Sequence, residues 1–306
     1  MKNLKLAAVC LSCLTMTGCS ALNFSVEGLI NAPKLTSEQS EIHQALIESV
    51  GSNITLKYPK NGEYRSAYVI ANIDDEPTDE AMVFYEYTSN GSEEDGLRVN
   101  ILDKDEDGKW YSVKELAGAG TDIDQVIISP MGSNNQTDVF VGYQNLTNDE
   151  KTMEIYSYTD GDFKRVALDT YSVLEPLDIN NDGYIELITI QRSTNNDTGA
   201  VTAKASMLNM KNNEITRGEN VDMCDNVTSY VSSKTGMLDS GRRAIFIDGL
   251  TADGKLQTEI IYYRYSGLQN PMQLRSEKLL PLCTRPAGYY SEDMDGDGDV
   301  EIPSTS

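Results

Sequence analysis

Two nine-residue stretches carry the side chains best suited to chemistry. They are Asp178-Ile-Asn180-Asn-Asp182-Gly183-Tyr184-Ile-Glu186 and Asp293-Met-Asp295-Gly-Asp297-Gly298-Asp299-Val-Glu301. Each sets an oxygen-bearing side chain at positions 1, 3 and 5, so that all three can turn toward one hard cation. The glycine at position 6 permits a sharp turn, the position 7 carbonyl (Tyr184, Asp299) adds a ligand, and the position 9 acid closes the site. An all-oxygen donor set favours calcium or magnesium over softer metals, and a flexible cage of about six or seven oxygens suits calcium. The expected ligands of a structural Ca2+ are therefore Asp178, Asn180, Asp182, Tyr184 and Glu186 in one loop, and Asp293, Asp295, Asp297, Asp299 and Glu301 in the other. Neither loop is an EF-hand, which closes with an acid at position 12 between helices; these loops carry Thr189 and Ser304 there. The competing reading is a metal-free Asp/Asn/Gly turn in a hairpin.

Other chemistries find few residues to work with. His43 is the one histidine, which leaves no Ser-His-Asp or Cys-His constellation and no histidine set for catalytic zinc. No glycine-rich phosphate loop is present. Paired carboxylates for sugar hydrolysis stay open in a chain with 48 Asp and Glu, where such pairs are common by chance. No catalytic residue is therefore assigned. The net charge of −23 argues against binding a nucleic-acid backbone or an anionic membrane surface.

The elements that must position the loops are mostly strands. Aromatic residues are dominated by 17 Tyr, against five Phe and one Trp, and Tyr suits half-buried strands. One helix is expected over 35–51, capped by Thr36 or Ser37, with Ile42, Leu46 and Val50 on one face and Gly51 as its stop. From Ile54 onward strands repeat. Asn72-Ile-Asp74-Asp-Glu76-Pro-Thr-Asp-Glu80 is a degraded copy of the loop, and whether it holds metal is left open by its sequence. An apolar run follows each loop, as in Ala81-Met-Val-Phe-Tyr85 and Leu187-Ile-Thr-Ile190. Similar runs without the acids stand at Thr137–Gly142 and Arg243–Ile247. Polar hairpin turns recur downstream at Asp105–Gly108, Thr159–Gly161, Lys211–Asn213 and Ser266–Asn270. Four antiparallel strands per unit of about 50–60 residues is the layout of a propeller blade.

A loop Asp-x-Asn/Asp-x-Asp-Gly-x-x-acid followed by an apolar strand resembles the FG-GAP and VCBS-type repeats of integrin-like β-propellers. The resemblance covers roughly residues 62–306. It implies an all-β propeller stabilised by calcium that serves as a binding or structural module. The expected units lie near 62–120, 121–170, 171–225, 226–283 and 284–306, with first strands near Tyr64–Ile73, Asp124–Ser129, Ser172–Asp178, Thr228–Ser232 and Gly288–Ser291. Four blades are expected complete and the fifth partial, as in a piece of a longer propeller. The rival is a small propeller closed by its termini, with Ile54–Tyr58 as the donor strand for the last blade.

Residues 1–18 read as a signal peptide, with Lys2 and Lys5 before an apolar run from Leu6 to Leu14 that is too short to span a bilayer. Met16-Thr-Gly-Cys19 resembles a bacterial lipoprotein signal, which makes Cys19 the lipid-bearing first residue of the mature chain. An ordinary secretory cleavage after Ala21 is the alternative. Residues 19–34 would then be a tether and 52–306 the propeller. Cys10 and Cys13 leave with the signal, and Cys224 and Cys283 are either two buried thiols or a pair. The expected location is the outer face of the bacterial cell membrane, anchored by lipid alone. The expected partner is a protein or glycan, with a structural envelope component or a polysaccharide lyase or hydrolase as alternatives.

Overall fold

The computed structural model describes residues 35–88, 96–130, 137–146, 150–194, 201–211, 214–238, 241–271 and 284–303. The signal peptide, Cys19, the tether and Cys283 lie outside these residues.

Helix α1 (Ser37–Val50) opens as the sequence requires. The Thr36 hydroxyl accepts the Gln39 N–H at 3.1 Å while the Gln39 side chain accepts the Thr36 N–H at 3.1 Å, a reciprocal cap. Ile42, Ala45 and Leu46 form its buried stripe.

The strands form four antiparallel sheets in chain order. The first holds β1 (Ile54–Leu56), β2 (Tyr68–Ala71), β3 (Glu80–Tyr87), β4 (Leu97–Lys104) and β5 (Trp110–Ala117). The second holds β6 (Asp122–Pro130), β7 (Thr137–Gln144), β8 (Lys151–Thr159) and β9 (Asp162–Tyr171). The third holds β10 (Val173–Leu177), β11 (Glu186–Thr194), β12 (Val201–Lys211) and β13 (Glu214–Asp222). The fourth holds β14 (Val227–Leu238), β15 (Arg242–Thr251), β16 (Lys255–Arg264), β17 (Gly267–Gln269) and β18 (Thr284–Pro286). In the second and third sheets each strand pairs with its sequence neighbours. The all-β class and the recurring four-stranded meander follow the sequence reading.

Successive sheets pack face to face through the side chains on opposite sides of each pleat. Met82 and Phe84 of β3 enter a core with Ile123, Val139, Val141 and Tyr156 of the second sheet. Their neighbours Ala81, Val83 and Tyr85 point the other way, into a core with Ile42 and Leu46 of α1. Second and third sheets meet through Phe140, Ile155, Leu174 and Leu187, third and fourth through Ile188, Ile190, Ile245 and Ile247. A side chain of this size, fully buried, contributes about 1.5–3 kcal/mol. The near-continuous apolar runs thus arise because the central strands are covered on both faces.

Three expectations change. Ile54–Leu56 does not serve a last blade: it pairs with Tyr85–Tyr87 of β3, while β2 pairs with Glu80–Val83 of the same strand. Two short strands thus share one edge of the first sheet. Gly288–Ser291 forms no strand. The segment after β18 makes single bridges, Glu292 with Glu301 and Met237 with Asp299. The last hairpin turns at Tyr265 and Ser266, both at positive φ (54° and 62°), so Gly267–Gln269 is strand rather than turn.

β18 pairs with the start of β16, and the residues after it lie against Asp248 and Gly236 of the same sheet. Arg285 and Asp248 form an ion pair of 2.7 Å with side chains 0% and 1% exposed. Asp248 also accepts the Ser291 N–H at 2.6 Å and the Thr258 hydroxyl at 2.6 Å. Val300 sits against Gly236, where a Cβ would lie 2.5 Å from its Cγ2. A buried pair of this kind needs every lone pair satisfied, and here the neighbouring hydroxyls and backbone do that.

Candidate functional site

The three loops share one hydrogen-bond signature. The position 9 glutamate accepts the N–H of position 2: Glu80 from Ile73 at 2.8 Å, Glu186 from Ile179 at 3.0 Å, and Glu301 from Met294 at 2.7 Å. The degraded loop at Asn72 keeps this closing hydrogen bond, but it lacks the positive φ that both full loops have at positions 4 and 6.

Their interiors differ. In the last loop the carboxylates of Asp293, Asp295 and Asp297 lie within 4.8 Å of one another and are exposed, the one such group of three acids among the described residues. Gly298 at φ +95° makes the turn that brings them together. Asp293 meanwhile accepts the N–H of Gly296 at 2.6 Å and of Gly298 at 3.0 Å. Three convergent carboxylates with oxygen donors alone fit a hard divalent cation. The Asp299 carbonyl and Glu301 stand at the places of further ligands.

In the loop at Asp178, Asn181 (φ 60°) and Gly183 (φ 93°) make the turn. Asp182 donates its N–H to Asp178 at 3.1 Å and to Asn180 at 2.8 Å, and Tyr184 donates to Asp182 at 2.9 Å. The Asn180 amide reaches Glu186 at 2.9 Å. Arg243 from β15 adds a cation, 2.9 Å from the Asp178 carboxylate and 3.0 Å from its carbonyl. The Asn180 amide also donates to Asp182 at 3.0 Å, and Asp178, Asp182 and Glu186 do not converge as the three carboxylates of the last loop do. Burial raises the Glu186 pKa, with the Asp182 and Asp178 charges adding to it. Tyr184 points outward, 71% exposed, and Ile185 is 47% exposed.

In the loop at Asn72 the amide of position 1 fills the interior. Its Nδ2 donates to the carbonyls of Glu76 at 2.5 Å and Thr78 at 3.1 Å. Thr78 is position 7, so a neutral N–H meets the carbonyl that a cation would otherwise meet.

A cavity of about 850 Å³ is the other feature of note. Its wall is built by β6, β10 and β14, the first strands of the second, third and fourth sheets, with residues 61–65 of the stretch before β2. Asp124 is its polar anchor, 1% exposed. It accepts hydrogen bonds from Asn61 at 2.8 Å, Lys151 at 3.0 Å and the Tyr171 hydroxyl at 2.7 Å. Gly142 is required here, since a Cβ would lie 2.0 Å from the Tyr171 hydroxyl. The Gln125 amide crosses from β6 to the Leu174 carbonyl of β10 at 2.8 Å. Glu175 accepts the Ser233 hydroxyl. Its pKa is raised by burial, against the pull of that hydroxyl and Lys151. Ile185 of the Asp178 loop also lines the cavity, so loop and cavity share a wall.

Sequence reasoning named the loop residues but none of these cavity residues. Their signal was indirect: Asp124 and Glu175 fall on strands expected to come first in their units.

No family model and no curated protein matches the chain. Among solved structures, a proposed 6-phosphogluconolactonase from Bacteroides uniformis ATCC 8492 aligns with 71% of this chain and 80% of its own, at 12% identity and a TM-score of 0.29. A proposed exo-beta-1,3-galactanase from Bifidobacterium bifidum s17 aligns with 71% and 75%, at 12% identity and a TM-score of 0.27. Scores this low carry no argument about this chain. Among the described residues no helix is long and apolar enough to cross a membrane.

Proposed function

We propose that this chain is a lipid-anchored, extracytoplasmic binding module built as a β-propeller and stabilised by calcium. The observation that carries the reading is the cavity: the first strands of three successive four-stranded antiparallel sheets line one space. That is the relation of inner strands to the central channel of a propeller. The loops at Asp178 and Asp293 would hold Ca2+ through Asp178, Asn180, Asp182, the Tyr184 carbonyl and Glu186, and through Asp293, Asp295, Asp297, the Asp299 carbonyl and Glu301. Each ion would draw together carboxylates that otherwise repel in a chain of charge −23. The loop at Asn72 would stay without metal, because its amide already satisfies the position 7 carbonyl. Anchoring through Cys19 rests on the sequence alone.

A second reading has one observation of its own. Glu175, whose pKa burial raises, stands on the same cavity wall as Asp124 and Lys151, and two carboxyl groups on one wall are the raw material of a sugar hydrolase. Asp124 is already saturated by Asn61, Lys151 and Tyr171, which makes it a poor nucleophile and favours binding over catalysis. Screening the full chain on arrays of glycans and of envelope proteins, with product analysis on polysaccharides, tests both. Saturable binding without product supports the module. Product formation overturns it in favour of the enzyme, and an absence of any ligand leaves a structural component.

A further inference from the structure

Lysines and arginines are scarce in this chain, 25 against 48 acids, so a cation has carboxylates to spare around it. Most of the described ones are engaged. Lys57, Lys60, Lys151, Arg217, Arg243 and Arg285 all hold carboxylates, and Arg242 and Arg264 lie over tyrosine rings. Among the described residues, Arg65 and Lys234 make no close ion pair and lie over no ring, although Lys234 is near enough to Glu175 to pull on its carboxyl, and both line the cavity. They come from different elements: Arg65 from the stretch before β2, Lys234 from β14. Both side chains are exposed rather than folded back. The cavity wall carries three cations, Arg65, Lys151 and Lys234, against three carboxylates, Glu63, Asp124 and Glu175, a balance far from that of the chain as a whole. A further observation points inward: Ser172, on the same wall and 9% exposed, has an Oγ with no hydrogen-bond partner.

We infer that this cavity is a binding site for a carboxylate-bearing, polyhydroxylated ligand, the chemistry of a uronic acid unit, with Arg65 and Lys234 as the anion-recognising residues. The inference rests on the binding-module reading and gives it a ligand class. A guanidinium takes a carboxylate through two parallel N–H bonds, and an ammonium adds a point charge. Serine hydroxyls and the Glu175 carboxyl offer the mixed donors and acceptors that sugar hydroxyls need. The volume falls within the usual range for small-molecule sites, roughly 300–1,000 Å³. The Lys151–Asp124 pair is neutral as a unit and shapes the wall.

The test is titration calorimetry of the full chain with digalacturonate and diglucuronate, each against its neutral sugar counterpart. At least one acidic disaccharide should bind, its neutral counterpart at least tenfold more weakly. Arg65→Gln and Lys234→Gln should each weaken it at least fivefold, and Arg65→Lys should restore part of the loss. Both variants lie on exposed side chains, so unchanged melting will exclude misfolding. Equal affinity for acidic and neutral sugars, no binding of either acid, or unaltered binding in both variants overturns the inference. Array ligands that bind without competing with these acids leave the module reading standing while the cavity assignment falls. Cleavage of a bound acid leaves the cavity assignment standing while the module reading falls.

Discussion

Replacing Arg285 with methionine removes one half of the buried pair that fixes residues 284–303 to the fourth sheet. Arg285 donates to Asp248 at 2.7 Å, to the Thr258 hydroxyl at 2.7 Å and to Ser291 at 3.1 Å. It also donates to the Tyr289 carbonyl. With the guanidinium gone, Asp248 keeps only neutral donors, the Ser291 N–H and hydroxyl and the Thr258 hydroxyl. Breaking a buried pair from one side costs about 3–5 kcal/mol, because a charge is left buried without its partner. For a chain of this size each kcal/mol moves the melting temperature by roughly 2–4 °C, so a fall of roughly 6–20 °C is expected by calorimetry. Arg242→Met, at an arginine over the Tyr262 ring, should cost about 1 kcal/mol or less. The double variant Asp248→Leu/Arg285→Met should recover part of the loss, since no buried charge is left unpaired, while the Ser291 N–H loses its acceptor and keeps the recovery incomplete. A loss below about 1 kcal/mol in Arg285→Met, or a double variant no better than the single, would refute the reasoning.

Three further outcomes are expected. Burial pushes the Glu80 carboxyl up to about 7, with Asp74 and Asp103 adding to it. The folded state then holds a proton that the unfolded chain gives up near the ordinary carboxyl value of 4.5, so stability falls as pH rises between about 4.5 and 7; Glu80→Gln should flatten that fall in pH-dependent melts, and an unchanged slope contradicts it. The Cys224 thiol is buried and pushed well above its ordinary pKa by burial, with Glu259 beside it, so peptide mapping should find it unmodified by iodoacetamide in the native protein and modified in urea. Cys19→Ala should move the protein from the membrane fraction to the medium in the native host, and continued sedimentation with membranes would show another attachment.

Much of the fold could be read from local patterns. The α1 cap, the 3.6-residue stripe of Ile42 and Leu46, and the Asp-Gly turn at Asp160 and Gly161 are decided within a few residues. The apolar runs were legible too, because strands covered on both faces carry little else. What escaped depends on pairing at a distance. Nothing within Ile54–Leu56 says that it shares the β3 edge with β2. The register of Gly288–Ser291 is lost because Arg285, Ser291 and Asp248 close a buried cluster instead, and an arginine in a polar stretch gives no sign of full burial. The loops show their ligand types openly, whereas the Arg243 contact to Asp178 comes from another sheet, across 65 positions of sequence. The cavity is the extreme case: Arg65, Asp124, Glu175 and Lys234 belong to four separate elements, and no spacing joins them.

The most direct measurement of the central claim is the melting temperature of the full chain in millimolar calcium and in chelator, for the native sequence, Asp182→Ala and Asp297→Ala. Calcium bound only by the folded state at ten times Kd adds about 1.4 kcal/mol per site, so two sites should raise the melting temperature by roughly 5–10 °C. Each substitution should remove its own site's share, and calorimetry should count two ions in the native chain and one in each variant. Identical melting in calcium and in chelator, with no ion bound, would reduce both loops to ordinary turns and contradict the account.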